Sequence, residues 1–164
     1  ATEKSIDFSI DCGYYDGISL SITSVAEYQM KNATEAVTAI RVMDREKGEF
    51  TDEMIRKGIS GMRWQGRMET VLPGVIIDGA HNEDGIAQFV STAGYFAKEN
   101  EITILFTAVA DKHYHEMIGE ICEGIHPSHV VATQIDGSRV VPAEGLQKSR
   151  MHGCLRGTGD RGSI

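Results

Sequence analysis

The 164-residue chain is short of cysteine, of positive charge and of long apolar runs. Its three cysteines, Cys12, Cys122 and Cys154, lie far apart and form no Cys-x-x-Cys pair. That excludes a disulfide framework and a cysteine zinc site, and leaves reduced, unligated thiols as the expectation. With 16 Lys and Arg against 24 Asp and Glu, the formal net charge is -8, which argues against a nucleic-acid partner because phosphate binding needs a basic surface. No window approaches the roughly 18 consecutive apolar residues of a membrane helix. The first residues lack a basic stretch followed by an apolar one, so no targeting segment is read there and a cytoplasmic protein is expected. No internal repeat is present. What remains, 41% hydrophobic and 24% charged residues, is an ordinary globular composition.

Residues 64–82, WQGRMETVLPGVIIDGAHN, organise the chain. The apolar run Val75-Ile76-Ile77, bounded by Pro73-Gly74 and Gly79, reads as a short buried strand with Asp78 at its end. A small-residue turn follows, and a helical pattern starts near Asp84. Polar side chains therefore cluster between a strand's carboxyl end and a helix's amino end, where open α/β sheets place ligands. A helix start offers unpaired N–H groups to an anion, Asp78 an acceptor for hydroxyls, and His81 a donor or acceptor near neutral pH.

Before this stretch, residues 1–24 alternate polar and apolar around Gly13 and Gly17, with Phe8, Ile10, Ile18, Leu20 and Ile22 at period two, which predicts a β-hairpin. From Ala26 the period changes. Ala26, Met30, Ala33, Val37 and Ile40 mark a helix ending near Asp44. Thr51 or Asp52 opens a second helix with Met54, Ile55 and Ile59, which Gly58 and Gly61 are expected to break. The three methionines Met30, Met43 and Met54 are read as core. After residue 60 strands and helices alternate: a strand at residues 75–77, a helix at 84–98, a strand at 102–109, a helix carrying Tyr114, Met117, Ile118, Ile121, Cys122 and Ile125, and a strand at 129–133. Such alternation predicts an α/β fold, a Rossmann-like, mostly parallel sheet with flanking helices. A further helix is expected at Pro142-Ala143-Glu144. Residues 147–164, rich in Gly, Arg and Ser, form an atypical tail expected to be disordered.

The segment from Trp64 to Ile86 closely resembles the carboxy-terminal-domain signature of folylpolyglutamate synthases, in the Mur ligase superfamily: Trp-Pro-Gly-Arg-x-Glu, then Asp-Gly-Ala-His-Asn after a strand. Tyr28-Gln29-Met30-Lys31-Asn32-Ala33 is similar to the family's His-Gln-x-x-Asn-Ala helix, Asp111-Lys112 to its Asp-Lys strand end, and Arg139 to an Arg after the next strand. Gln65 stands in place of the usual Pro, Tyr28 of the usual His, and Glu83 of the usual Pro. The resemblance implies the end of a central ATPase domain, with its β-hairpin and helices, in residues 1–60, and an incomplete Rossmann-like carboxy-terminal domain in residues 61–146. It implies an ATP-dependent amide ligase that adds L-glutamate to folate through an acyl phosphate, with dihydrofolate synthase activity as a further expectation. ATP, L-glutamate and folate are the implied substrates. The missing amino-terminal and central part is the implied partner. This chain has no Gly-x-x-Gly-Lys-Ser/Thr loop, and Mg2+ ligands are expected outside it, so the chain alone is expected to be inactive. By resemblance, Asn32, Arg67 and Asp78 contact ATP, His81 is the catalytic candidate that orients glutamate or the transferring phosphoryl group, and Lys112 and Arg139 meet the glutamate carboxylates. No metal ligand is assigned within the chain.

Simpler roles stand beside these. Asn82 and Asp84 are suited to capping a helix, Arg67 to pairing with Glu69, and Trp64 to packing rather than stacking on adenine. His113 and His115 are two apart where metal ligands on a helix need four, which favours solvent exposure or capping. The alternatives to the folate ligase are another Mur-type ligase and a non-catalytic nucleotide- or amino-acid-binding module.

Overall fold

The computed structural model describes residues 5–12, 15–110 and 112–148. It divides into two compact units, Ala1–Asp78 and Gly79–Ile164.

In the first unit, β1 (Ile6–Cys12) and β2 (Tyr15–Ile22) form the expected antiparallel hairpin, with Ile10 opposite Ile18 and Ile6 opposite Ile22. Period two sends Ile10, Ile18, Leu20 and Ile22 to one face. There they meet Ala33 and Val37 of α1 (Tyr28–Met43) and Ile55 and Ile59 of α2 (Asp52–Gly61) in one apolar cluster. Each fully buried aliphatic side chain of this kind contributes about 1.5–3 kcal/mol. Thr51 caps α2, its side chain accepting from the Met54 N–H. The turn between the helices is held by the buried Asp44, which accepts the Glu49 and Phe50 N–H groups at 2.8 Å each. An ion pair from Arg41 to Asp52 ties the same two helices.

Two expectations fail in this unit. The second helix runs through Gly58, because Ile55 and Ile59 are buried in the shared cluster and outweigh the roughly 1 kcal/mol that glycine costs a helix. Met43 and Met54 are exposed rather than core. Met54 precedes Ile55 and so points about 100° away from the buried face, and Met43 ends its helix. Met30 does pack against the cluster.

The unit ends in a small antiparallel hairpin, β3 (Glu69–Leu72) and β4 (Val75–Ile77), turning at Pro73-Gly74. Gly74 has φ +77°, and with Pro before it this is the pattern of a type II turn. Residues 75–77 are thus not the buried strand of a parallel sheet that their composition suggested. They pair with β3, and Val75, Ile76 and Ile77 are all exposed. A continuous apolar run reports a strand without reporting which neighbour it takes.

The second unit carries the α/β pattern. The helix α3 (Glu83–Ala97) precedes β5 (Thr103–Phe106), α4 (Tyr114–Ile125), β6 (His129–Ala132) and the short α5 (Ala143–Lys148). Strands β5 and β6 are parallel, Thr103 opposite His129 through Phe106 opposite Ala132, and α4 supplies the crossover that parallel strands need. Ile86 and Ala93 of α3, Ile104 and Phe106 of β5, Met117, Ile118, Ile121 and Ile125 of α4, and Leu146 of α5 fill one core. Helix α4 stops where His126 turns left-handed at φ 50° and Pro127 follows. Strand β5 is shorter than residues 102–109, and Val109 instead makes an antiparallel bridge to Val140. Cys122 is disulfide-bonded, which overturns the expectation of reduced thiols. The expected disorder of the tail falls mainly on residues 149–164, which lie outside the described residues. Among the described residues no helix is long and apolar enough to cross a membrane.

Candidate functional site

The β3–β4 register sets the geometry of the first unit's polar cluster. Because Glu69 lies opposite Ile77, the residues just outside that pair, Met68 and Asp78, are brought together. The Met68 N–H donates to Asp78 Oδ2 at 2.9 Å. The Tyr28 hydroxyl, from the first residue of α1, donates to the same oxygen at 3.1 Å. Met68 is buried and has φ 47°, a left-handed conformation that non-glycine residues adopt at a cost. Gly66, at φ 66°, takes the other sharp bend, and its N–H donates to Glu69 Oε2 at 2.7 Å. Arg67 sits between these two bends.

The Tyr28 phenol is pushed up to about 12, chiefly by burial, then by the negative charge of Asp78 and its hydrogen bond, while Arg67 and Gln29 pull it down. At neutral pH Tyr28 is therefore an O–H donor. The Arg67 guanidinium makes no ion pair among the described residues, and Glu69, its suggested partner, is engaged by the Gly66 N–H. One turn along α1, Asn32 Nδ2 donates to Oε1 of the buried Gln29 at 2.9 Å. Gln29, Trp64 and Arg67, with Ile22, Thr23, Ser24 and Met62, line a cavity of about 30 Å³, room for about one water. Trp64 is 58% exposed and so is not the packing anchor its size suggested.

In the second unit, His81 is exposed, with Nδ1 2.9 Å from the Gly79 carbonyl. Asn82 caps α3, its Oδ1 accepting from the Gly85 N–H at 2.8 Å. A Cβ at residue 85 would stand 2.9 Å from that oxygen, which is why glycine occupies the position. Glu83 and Asp84 fill the first turn, so the helix start, with its dipole and one N–H already answered, is a poor seat for phosphate. His113, preceding α4, pairs with Glu83 at 2.6 Å, and that hydrogen bond, then the charges of Glu83 and Glu116, raise its pKa above the ordinary value. Lys112 and Arg139 come from neighbouring segments, since the Ala110 N–H donates to the Arg139 carbonyl at 2.7 Å and the Val141 N–H to Ala108 at 3.0 Å. Asp111 lies outside the described residues. No group of three or more His, Cys, Asp or Glu suited to a metal ion occurs among the described residues.

The structure thus joins Tyr28 and Met68, the residue after Arg67, on one oxygen of Asp78, and separately brings the Lys112 and Arg139 segments side by side. Tyr28 was missed as a site residue because its partner is 50 positions away. No pattern in the sequence marks Met68 as left-handed.

No family model matches the chain. It is similar to the dihydrofolate synthase/folylpolyglutamate synthase of Bacillus subtilis, 31% identical over 129 residues, covering 77% of this chain and 30% of that protein. It is also similar to the folylpolyglutamate synthase of Lacticaseibacillus casei, 28% identical over 132 residues, covering 78% of this chain and 30% of that protein. The chain therefore spans about a third of the length of these relatives. The solved folylpolyglutamate synthase of Mycobacterium tuberculosis, complexed with ADP, shares its fold, with a TM-score of 0.72 at 19% identity over 85% of this chain and 31% of that one.

Proposed function

We propose, from the premise that a chain related in sequence to folylpolyglutamate synthases over 77% of its length carries a part of the same machinery, that it is the carboxy-terminal portion of an ATP-dependent ligase joining L-glutamate to a folate. Residues 1–60 are assigned to the end of a central ATPase domain and residues 61–146 to a Rossmann-like carboxy-terminal domain. In the proposed reaction a folate carboxylate takes the γ-phosphoryl group of ATP, the glutamate amine attacks the acyl phosphate, and phosphate leaves as the amide forms. Most of such catalysis is positioning and charge stabilisation.

The observation that carries this reading is the corner built from Arg67, Met68 and Asp78 at the positions of the signature. Arg67 offers a planar fork with no ion pair among the described residues, suited to phosphate oxygens. Asp78 offers carboxylate oxygens to ribose hydroxyls, and Asn32 an amide to the base or sugar. His81 is assigned to orienting the glutamate or the transferring phosphoryl group, and Lys112 and Arg139 to the glutamate carboxylates. Mg2+, which shields phosphate charge in such reactions, is assigned by the same resemblance to ligands elsewhere in the full protein. Cytoplasmic placement is part of the same proposal.

The test is ATP-, glutamate- and folate-dependent phosphate release, measured with this chain alone and with the product of the whole reading frame that contains it. The chain alone is expected to be silent and the whole product active. A whole product that binds nucleotide without ligating glutamate to any folate supports the binding-module alternative instead.

A further inference from the structure

We propose that Tyr28 is a positioning residue, whose hydroxyl fixes the Asp78 carboxylate and through it the backbone corner that aims Arg67. The argument starts from Oδ2 of Asp78, which accepts both the Tyr28 hydroxyl at 3.1 Å and the Met68 N–H at 2.9 Å. An aspartate side chain has two torsions, and two donors converging on one oxygen from different elements restrict both. The second donor belongs to the residue with φ 47°, a conformation that persists only when its surroundings enforce it. Asp78 supplies that enforcement, and Tyr28, anchored at the start of a 16-residue helix, holds Asp78 in turn. Arg67 precedes Met68 directly, so the left-handed bend sets the direction in which its side chain leaves the backbone. Tyr28 itself needs no contact with a ligand for this role. That Arg67 and Asp78 meet a nucleotide is the reading given above, on which the ligand half of this inference rests.

Two measurements, the first on the 164-residue chain and the second on the product of the whole reading frame, separate the halves. The first uses no ligand: hydrogen exchange of the Met68 amide is compared in wild type, Tyr28→Phe and Asp78→Asn. Tyr28→Phe is expected to speed Met68 exchange about tenfold, the order of one hydrogen bond to a charged group, while interior α1 amides such as Val37 keep their rates. Asp78→Asn, which replaces the charged acceptor of both bonds by a neutral one, is expected to speed it at least as much. Unchanged Met68 exchange in Tyr28→Phe overturns the proposal, and so does an equal acceleration throughout α1, which would mean general loosening.

The second measurement titrates ADP by calorimetry into the product of the whole reading frame, because this chain has no Gly-x-x-Gly-Lys-Ser/Thr loop of its own. Tyr28→Phe is expected to weaken ADP about tenfold, and Tyr28→Phe with Asp78→Ala to be no weaker than Asp78→Ala alone, because the two act as one unit. Additive losses overturn the positioning role. If Arg67→Ala leaves ADP binding unchanged, or ADP does not bind, the nucleotide reading fails while the exchange result still decides whether Tyr28 sets the corner.

Discussion

At the scale of single residues, the two helix starts of the second unit give two separable expectations. Asn82→Ala removes the side-chain acceptor of the Gly85 N–H and should lower the stability of that unit by about 1 kcal/mol, measured by urea unfolding. A loss too small to measure would mean that water replaces the cap. His113 bears on pH. Its proton is favoured by Glu83, so the folded value lies above the unfolded 6.5. The stabilisation is complete below 6.5 and fades as pH rises through the raised folded value. Glu83→Gln should bring the His113 midpoint back towards 6.5 in an NMR titration, and an unmoved midpoint would break the assignment. Of these two features, the Asn82 cap was legible, because Asn before an apolar periodic run is a local signal. The Glu83–His113 pair was not, since it joins residues 30 positions apart.

At the scale of elements, strand β5 shows what alternation conveys. Ile104 and Phe106 point into the core, whereas Leu105 is 69% exposed. Phe106→Ala should cost about 3–5 kcal/mol and Leu105→Ala no more than about 0.5 kcal/mol, compared by thermal or urea denaturation. Similar losses at both sites would mean that the outer face is covered. The α3–α4 contact gives the opposite test, of crowding rather than loss. A Cβ on Gly124 would stand 2.2 Å from Val90 Cγ1, so Gly124→Ala should destabilise by about 1–3 kcal/mol despite alanine's better helix propensity. A stabilised variant would show that the Val90 side chain turns aside at little cost. The first hairpin, the helices and the parallel β5–β6 pair were all readable from hydrophobic period. The second hairpin was readable as a strand but not as to its partner, because Pro73-Gly74 closes a turn that pairs Val75–Ile77 with β3 before any parallel neighbour is met.

For the whole molecule, two cores account for the packing. One gathers the first hairpin with α1 and α2, and the other gathers α3, α4 and α5 around β5. The residues proposed for ATP, Asn32, Arg67 and Asp78, lie in the first unit, and His81, proposed to orient the glutamate or the transferring phosphoryl group, lies in the second. The sequence proposes these residues by their order within a signature, and the structure adds the first unit's arrangement, in which one oxygen of Asp78 accepts from both Tyr28 and the left-handed Met68. The measurement that bears most directly on the account is the ATP dependence of glutamate ligation by the whole reading-frame product carrying Arg67→Ala or Asp78→Ala. Loss of an interaction with a charged group is expected to raise KM for ATP, or lower kcat/KM, by about tenfold or more in each. Wild-type ATP dependence in both variants would contradict it.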